Sequence, residues 1–163
     1  MSPDISTSQR REAAVPRVLV VTAQLPFPEG GAAGRCVAAM ARGLVGHALD
    51  VKTLAPRQDF ALDGVPPPDL DVTVVPVTGA PAGGVRARLS RLRAPLSELT
   101  APAFADAVRA AARGADLVHL DQVETACLAP LLPARVPVAL HLHYRALQDA
   151  RLGRPWRPSF RHR

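Results

Sequence analysis

Aromatic side chains are scarce in this sequence. Four Phe, one Tyr and one Trp make up 4% of 163 residues, although 48% of the chain is apolar. A core with so few rings has to be packed with Val, Leu and Ala, which suits buried parallel strands flanked by Ala-rich helices. Uninterrupted apolar runs of about 18 residues are also missing, which excludes a membrane-spanning helix. Met1 to Ala14 is polar and mixed in charge, without the apolar centre of a signal peptide, so the expected location is the cytoplasm. Cysteine is limited to Cys36 and Cys127, far apart and outside any CxxC or Cys/His cluster. Both fall on predicted helices among apolar neighbours, so buried thiols are expected and a disulfide is not.

Lysine is almost missing too: 19 of the 20 basic residues are Arg. With Ala so abundant, this bias reads as a coding-composition effect rather than as selection for phosphate contacts. The net charge of +6 is also uneven. Arg17 to Tyr144 holds 12 basic and 11 acidic residues, whereas Arg145 to Arg163 holds six arginines against Asp149 alone. Basicity therefore belongs to the tail. No groove-reading helix or stacking aromatics accompany it, and nucleic acid is not an expected partner.

What is present is an alternation of strand and helix signals on a chain long enough for one domain with a real core. Val15 to Thr22 is a nearly continuous run of β-branched residues, as in a strand buried on both faces. Gln24 to Gly31 contains two prolines and two glycines and reads as a loop. From Ala32 to Val45 the apolar positions Val37, Met40, Ala41, Leu44 and Val45 recur at helical spacing, and Gly46-His47 stops the helix. Asp50 to Pro56 is a second strand, giving a β-α-β unit with parallel strands. Asp71 to Val77 is a third, placed near an edge by Pro76. Arg86 to Leu96 is a short segment alternating Arg and Leu. Thr100-Ala101-Pro102 opens a helix with Phe104, Ala105, Val108 and Ala112 on one face. Ala115 to Leu120 is a fourth strand, Glu124 to Leu132 a short helix closed by Pro133, and Val136 to His143 a fifth strand. This order predicts a Rossmann-like, doubly wound parallel sheet over residues 16–152. Residues 1–15 are expected to be disordered and 153–163 to form an Arg/Pro-rich tail.

In such sheets ligands sit beyond the carboxyl ends of the strands. Gly30 and Gly31 stand just before a helix, where a phosphate can approach the backbone and meet unpaired N–H groups, and Arg35 can add a charge-assisted bond. A tight turn with an exposed arginine explains the same residues. The spacing is neither GxGxxG nor GxxxxGK, which argues against a dinucleotide fold or a P-loop kinase. His141 and His143 share one face of a strand, and His119 lies at the end of a neighbouring one. Imidazole at strand ends can act as a base or a phosphate donor near neutral pH. A His-x-His pair can also bind metal, with Asp121 as a third ligand. Asp121 and Glu124 begin a helix, where carboxylates favour the dipole; that suffices for Glu124, whereas Asp121 is suited to a sugar hydroxyl.

Taken in order, Pro26-Phe27-Pro28-Glu29-Gly30-Gly31-Ala32-Ala33-Gly34-Arg35, Leu44-Val45-Gly46-His47-Ala48-Leu49-Asp50-Val51, Asp116-Leu117-Val118-His119 and Pro137-Val138-Ala139-Leu140-His141-Leu142-His143 resemble the N-terminal domain of family 4 glycosyltransferases of GT-B fold. Tyr144 stands where the family often has Asn. The resemblance spans about Arg17 to Leu152. It implies hexosyl transfer from a nucleotide-sugar donor to an acceptor, without cofactor or catalytic metal. Gly30, Gly31 and Arg35 would bind the donor diphosphate, His143 would be the catalytic histidine, and His119, Asp121 and His141 would line the acceptor pocket. The family's second, donor-holding domain has no counterpart here, so the expectation is a truncated or split enzyme, inactive alone and completed by a C-terminal domain or a partner chain. Two other readings remain: a stand-alone, flavodoxin-like module binding a nucleotide or a protein, and a metal-dependent hydrolase using Asp121, His141 and His143.

Overall fold

The computed structural model describes residues 14–27, 32–57, 66–77, 96 and 98–142. Among them β1 (Arg17–Thr22), β2 (Asp50–Arg57), β3 (Asp71–Pro76), β4 (Leu117–Asp121) and β5 (Val138–His141) form one sheet of order β3-β2-β1-β4-β5, every pair parallel. This is the Rossmann order; flavodoxin-like sheets run 2-1-3-4-5, so the flavodoxin-like shape does not apply. Pro76, which lacks an N–H for the ladder, lies on the edge strand β3, as its chemistry requires.

Period-two alternation sends the sheet's side chains to two cores. Val18 and Val20 of β1 and Val51 of β2 meet Val37 and Ala41 of helix α1 (Ala32–Gly46) on one face. Leu19 and Val21, with Leu54, Val118 and Leu120, meet Phe104, Val108 and Ala112 of helix α2 (Pro102–Ala112) on the other, together with Leu128. Helices on both faces make the sheet doubly wound. Pro102 starts α2 where its missing N–H costs nothing.

Helix α1 buries Gly34, Val37, Ala38 and Ala41, an i, i+3, i+4, i+7 stripe. Cys36 lies off that stripe and is exposed, which corrects the expectation of a buried thiol. Val45 continues the stripe, four residues after Ala41, but stands in the last turn of α1 and is 43% exposed. Arg42, also outside the stripe, holds Asp69 through Nε at 2.6 Å and Nη2 at 3.1 Å. That hydrogen bonding keeps the Asp69 carboxyl below the usual carboxylate range. Any stability it lends is present above the ordinary Asp pKa and fades as pH falls through the lowered one; both groups are solvated, so it is minor.

Cys127 sits within Val123–Leu131, a 3₁₀ helix found where a short helix is expected from Glu124 to Leu132. Pro130 inside it supplies no N–H to the helical ladder. Burial pushes the Cys127 thiol up from its ordinary value. Near neutral pH, iodoacetamide should therefore label Cys36 faster than the partly buried Cys127 in the folded protein, with the two sites resolved by peptide mass spectrometry. Equal labelling rates would contradict this arrangement.

The strand expected from Val15 begins at Arg17, with Val15 left 55% exposed. The fifth strand is four residues long, Val138–His141, and forms the edge opposite β3. Residues 1–13 of the expected disordered start, the Arg/Leu segment at 86–93 and the arginine-rich tail lie outside the described residues.

Candidate functional site

Strand β4, Leu-Val-His-Leu-Asp, commits Val118 and Leu120 to the α2 core, so Leu117, His119 and Asp121 face the α1 side. In register, His119 stands beside Val20 and Asp121 beside Thr22 on β1. On the other flank, His119 pairs with Ala139 and Asp121 with His141 on β5. Parallel partners share a face, so the backbone ladder alone brings His119, Asp121 and His141 into one group at the carboxyl edge of the sheet.

The side chains bear this out. The rings of His119 and His141 are 5.7 Å apart, tilted by 59°. His141 Nδ1 is 3.2 Å from Asp121 Oδ1, where an N–H at Nδ1 donates to the carboxylate. One nitrogen or oxygen from each of the three residues falls within 4.8 Å of the others. Asp121 is completely buried, whereas the His141 side chain is 46% exposed. A sequestered carboxylate thus orients an imidazole that reaches solvent, the arrangement that fixes a histidine tautomer in proton-transfer and metal sites.

The backbone after Asp121 is equally constrained. Gln122 takes φ 73° and ψ 153°, a conformation favoured by glycine, and is itself buried. Its N–H donates to His141 O at 2.8 Å, and its carbonyl accepts from Thr125 N at 3.2 Å. The Thr125 hydroxyl, also buried, lies 3.0 Å from Asp121 O and 2.9 Å from Gln122 O. Such strain persists only where the surroundings over-determine it, and it clusters at functional sites. No residue-type signal marks it in the sequence, because Gln is not a residue that announces a positive φ.

On the β1 side, Thr22 Oγ1 accepts from Gln24 N at 3.2 Å and lies 3.1 Å from Gln24 O, which turns the chain directly after the strand. Pro26 and Phe27 are buried, so this loop packs inward rather than hanging in solvent. Gly34, the third residue of α1, is where helix and loop approach most closely: a Cβ there would collide with the carbonyl oxygen of Leu25. The spacing Gly31-x-x-Gly34 after a strand was the available sequence signal for this contact. Arg35 follows in the first turn of α1 and is exposed; that turn contains no acidic residue. Gly30, Gly31 and His143 lie outside the described residues. Of the expected site residues, then, His119, Asp121 and His141 are brought together, and Arg35 stands on the adjoining β1–α1 unit.

A depression of about 240 Å³ lies at the opposite end, where Arg17, Asp50, Lys52 and Asp71 mark the amino ends of the strands. Parallel sheets bind their ligands at the other end, and we assign it no role.

Fold and site define a Rossmann-like α/β domain carrying a His/Asp/His group at the carboxyl edge of its sheet. No model of a known protein family matches the chain, and no curated protein matches it.

Proposed function

We propose that the chain is the acceptor-side domain of a glycosyltransferase that moves a hexose from a nucleotide-sugar to an acceptor. The observation that carries this reading is the buried Asp121 carboxylate hydrogen-bonded to the exposed His141 beside His119, at the strand ends where such sheets receive ligands. A carboxylate accepts hydrogen bonds from sugar hydroxyls, and an oriented imidazole can relieve a reacting hydroxyl of its proton near neutral pH. Arg35 and the amides opening α1 suit a donor diphosphate, since helix N-termini favour anions. In this reading Gly30 and Gly31 bring the backbone close to that diphosphate, and His143 stands nearest the reacting carbon. Transfer also demands a donor held in line with the acceptor, so the reading calls for a donor-holding domain across the cleft.

The test is a titration of ¹⁵N-labelled chain with a panel of mono- and disaccharides and of UDP- and GDP-hexoses. Amide shifts should gather at Thr22–Gln24, Gly34–Arg35, Asp121–Gln122 and His141, and the sugar-induced part should vanish in Asp121→Asn. Failure of every compound to shift these amides, or shifts confined to the amino ends of the strands, would sink the proposal.

A further inference from the structure

We infer that His119, Asp121 and His141 form a binding site for a late first-row divalent cation such as Zn²⁺, Co²⁺ or Ni²⁺. The inference concerns the same three residues as the sugar-transfer reading but does not rest on it, and its test uses metal ions and no sugar.

The case begins with the donor set. Two imidazoles and one carboxylate make an N₂O group, which suits Zn²⁺, Co²⁺, Ni²⁺ and Cu²⁺, whereas Mg²⁺ and Ca²⁺ prefer all-oxygen shells. Spacing comes next. A tetrahedral ion with bonds of about 2.0–2.1 Å keeps its ligand atoms about 3.3 Å apart. His141 Nδ1 and Asp121 Oδ1 are already 3.2 Å apart, and a ligand atom of each of the three residues lies within 4.8 Å of the others. The β4–β5 register fixes the Cα positions, so the wider gaps are to be closed by side-chain rotation.

Rigidity adds a third argument. Two of the ligands sit two residues apart on β4 and the third directly across on β5, so no loop has to be ordered on binding. The Gln122 N–H to His141 O bond and the Thr125 hydroxyl behind Asp121 clamp both strand ends. Access is the last point. Asp121 is buried at the floor and His141 is 46% exposed at the rim, so a cation enters past His141. Three protein ligands leave at least one coordination position for water or another small ligand, as in open rather than structural sites.

The experiment strips the full chain with a chelator and titrates it with ZnCl₂ by calorimetry, and with CoCl₂ by visible spectroscopy. One equivalent should bind, with ligand-field bands for Co²⁺. In histidine-selective ¹H–¹⁵N spectra, Zn²⁺ should move the ring signals of His119 and His141. His141→Ala, at a half-exposed position on the edge strand, should weaken binding at least about tenfold, as should His119→Ala. His47→Ala, on the exposed turn after α1, should leave the affinity unchanged. MgCl₂ should not compete. If a ligand variant does not fold, the ring signals of the unaltered protein decide the matter by themselves. Ring shifts confined to other histidines, or full affinity in the His119→Ala/His141→Ala double variant, would overturn the site, as would no saturable uptake of Zn²⁺ or Co²⁺.

Discussion

Phe104→Ala is expected to lower the unfolding free energy by about 3–5 kcal/mol, the range for emptying a buried phenylalanine site. Phe104 is fully buried and, among the described residues, is the largest of the fully buried side chains. It sits in the first turn of α2 and packs into the core with Leu19, Val21, Leu54, Val118 and Leu120, which project from three central strands of the sheet. Those strands are held by ladders on both sides and cannot collapse into the void, which is the condition for the upper part of the range. The chain has few rings to shift in its place: four Phe in 163 residues, of which Phe27 is buried in the β1–α1 loop. Domains of this kind are stable by roughly 5–15 kcal/mol in total, so the variant should be close to the edge of folding. Urea unfolding followed by circular dichroism measures it. The midpoint should fall with little change in slope; a loss below about 1 kcal/mol would mean that α2 is not docked on the sheet as described.

Two glycines of one helix should respond to alanine with opposite sign. Gly43 is exposed, and a Cβ added there meets nothing within 4 Å, so Gly43→Ala should gain about 0.5–1 kcal/mol from backbone entropy alone. Gly34→Ala would gain the same propensity but drive its methyl into the Leu25 carbonyl oxygen, a backbone atom that cannot swing aside. Overpacking of this kind costs about 1–3 kcal/mol and should outweigh the gain. The relief route is a shift of α1 away from the Ala23–Phe27 turn, so the amides of that turn and of Arg35 should move most in the ¹⁵N spectrum. Thermal unfolding of the pair, side by side, reads the sign. A stabilising Gly34→Ala would show that helix and loop are farther apart than described.

Much of this architecture could be read before any coordinates. Val18–Val21 and Val118–Leu120 announce strands because apolar, β-branched runs have few other homes, and Pro102 and Pro76 declare a helix start and an edge by the N–H they lack. The histidines at strand ends were visible for the same reason: a two-residue period fixes their face. Strand order was less accessible, because nothing local to β4 says that it returns to the far side of β1. That return creates the His119–Asp121–His141 group, since β4 and β5 must be neighbours in parallel register for Asp121 and His141 to meet. Local signals also failed where backbone geometry overrode residue type: Gln122 adopts a glycine-like conformation, and Val123–Leu131 winds as a 3₁₀ helix. Cys36 was misplaced because its neighbours are apolar while its own angular position on α1 is not inward.

The return of β4 to β1 has a consequence for how the chain acquires its shape. β1 is the innermost strand, yet its two neighbours arrive at different times. β2 follows one helix later, whereas the contact of Arg17 N–H with Asp116 Oδ2, just before β4, spans 99 positions. Until β4 is made, β1 presents an unpaired edge lined by Val18 to Val21, among the most deeply buried residues of the finished domain. Contacts so distant in sequence are formed slowly, and open apolar edges invite pairing with other chains. A nascent chain of this protein therefore holds its most vulnerable strand at the centre of its sheet, and becomes safe from its own neighbours only once synthesis has passed Asp121.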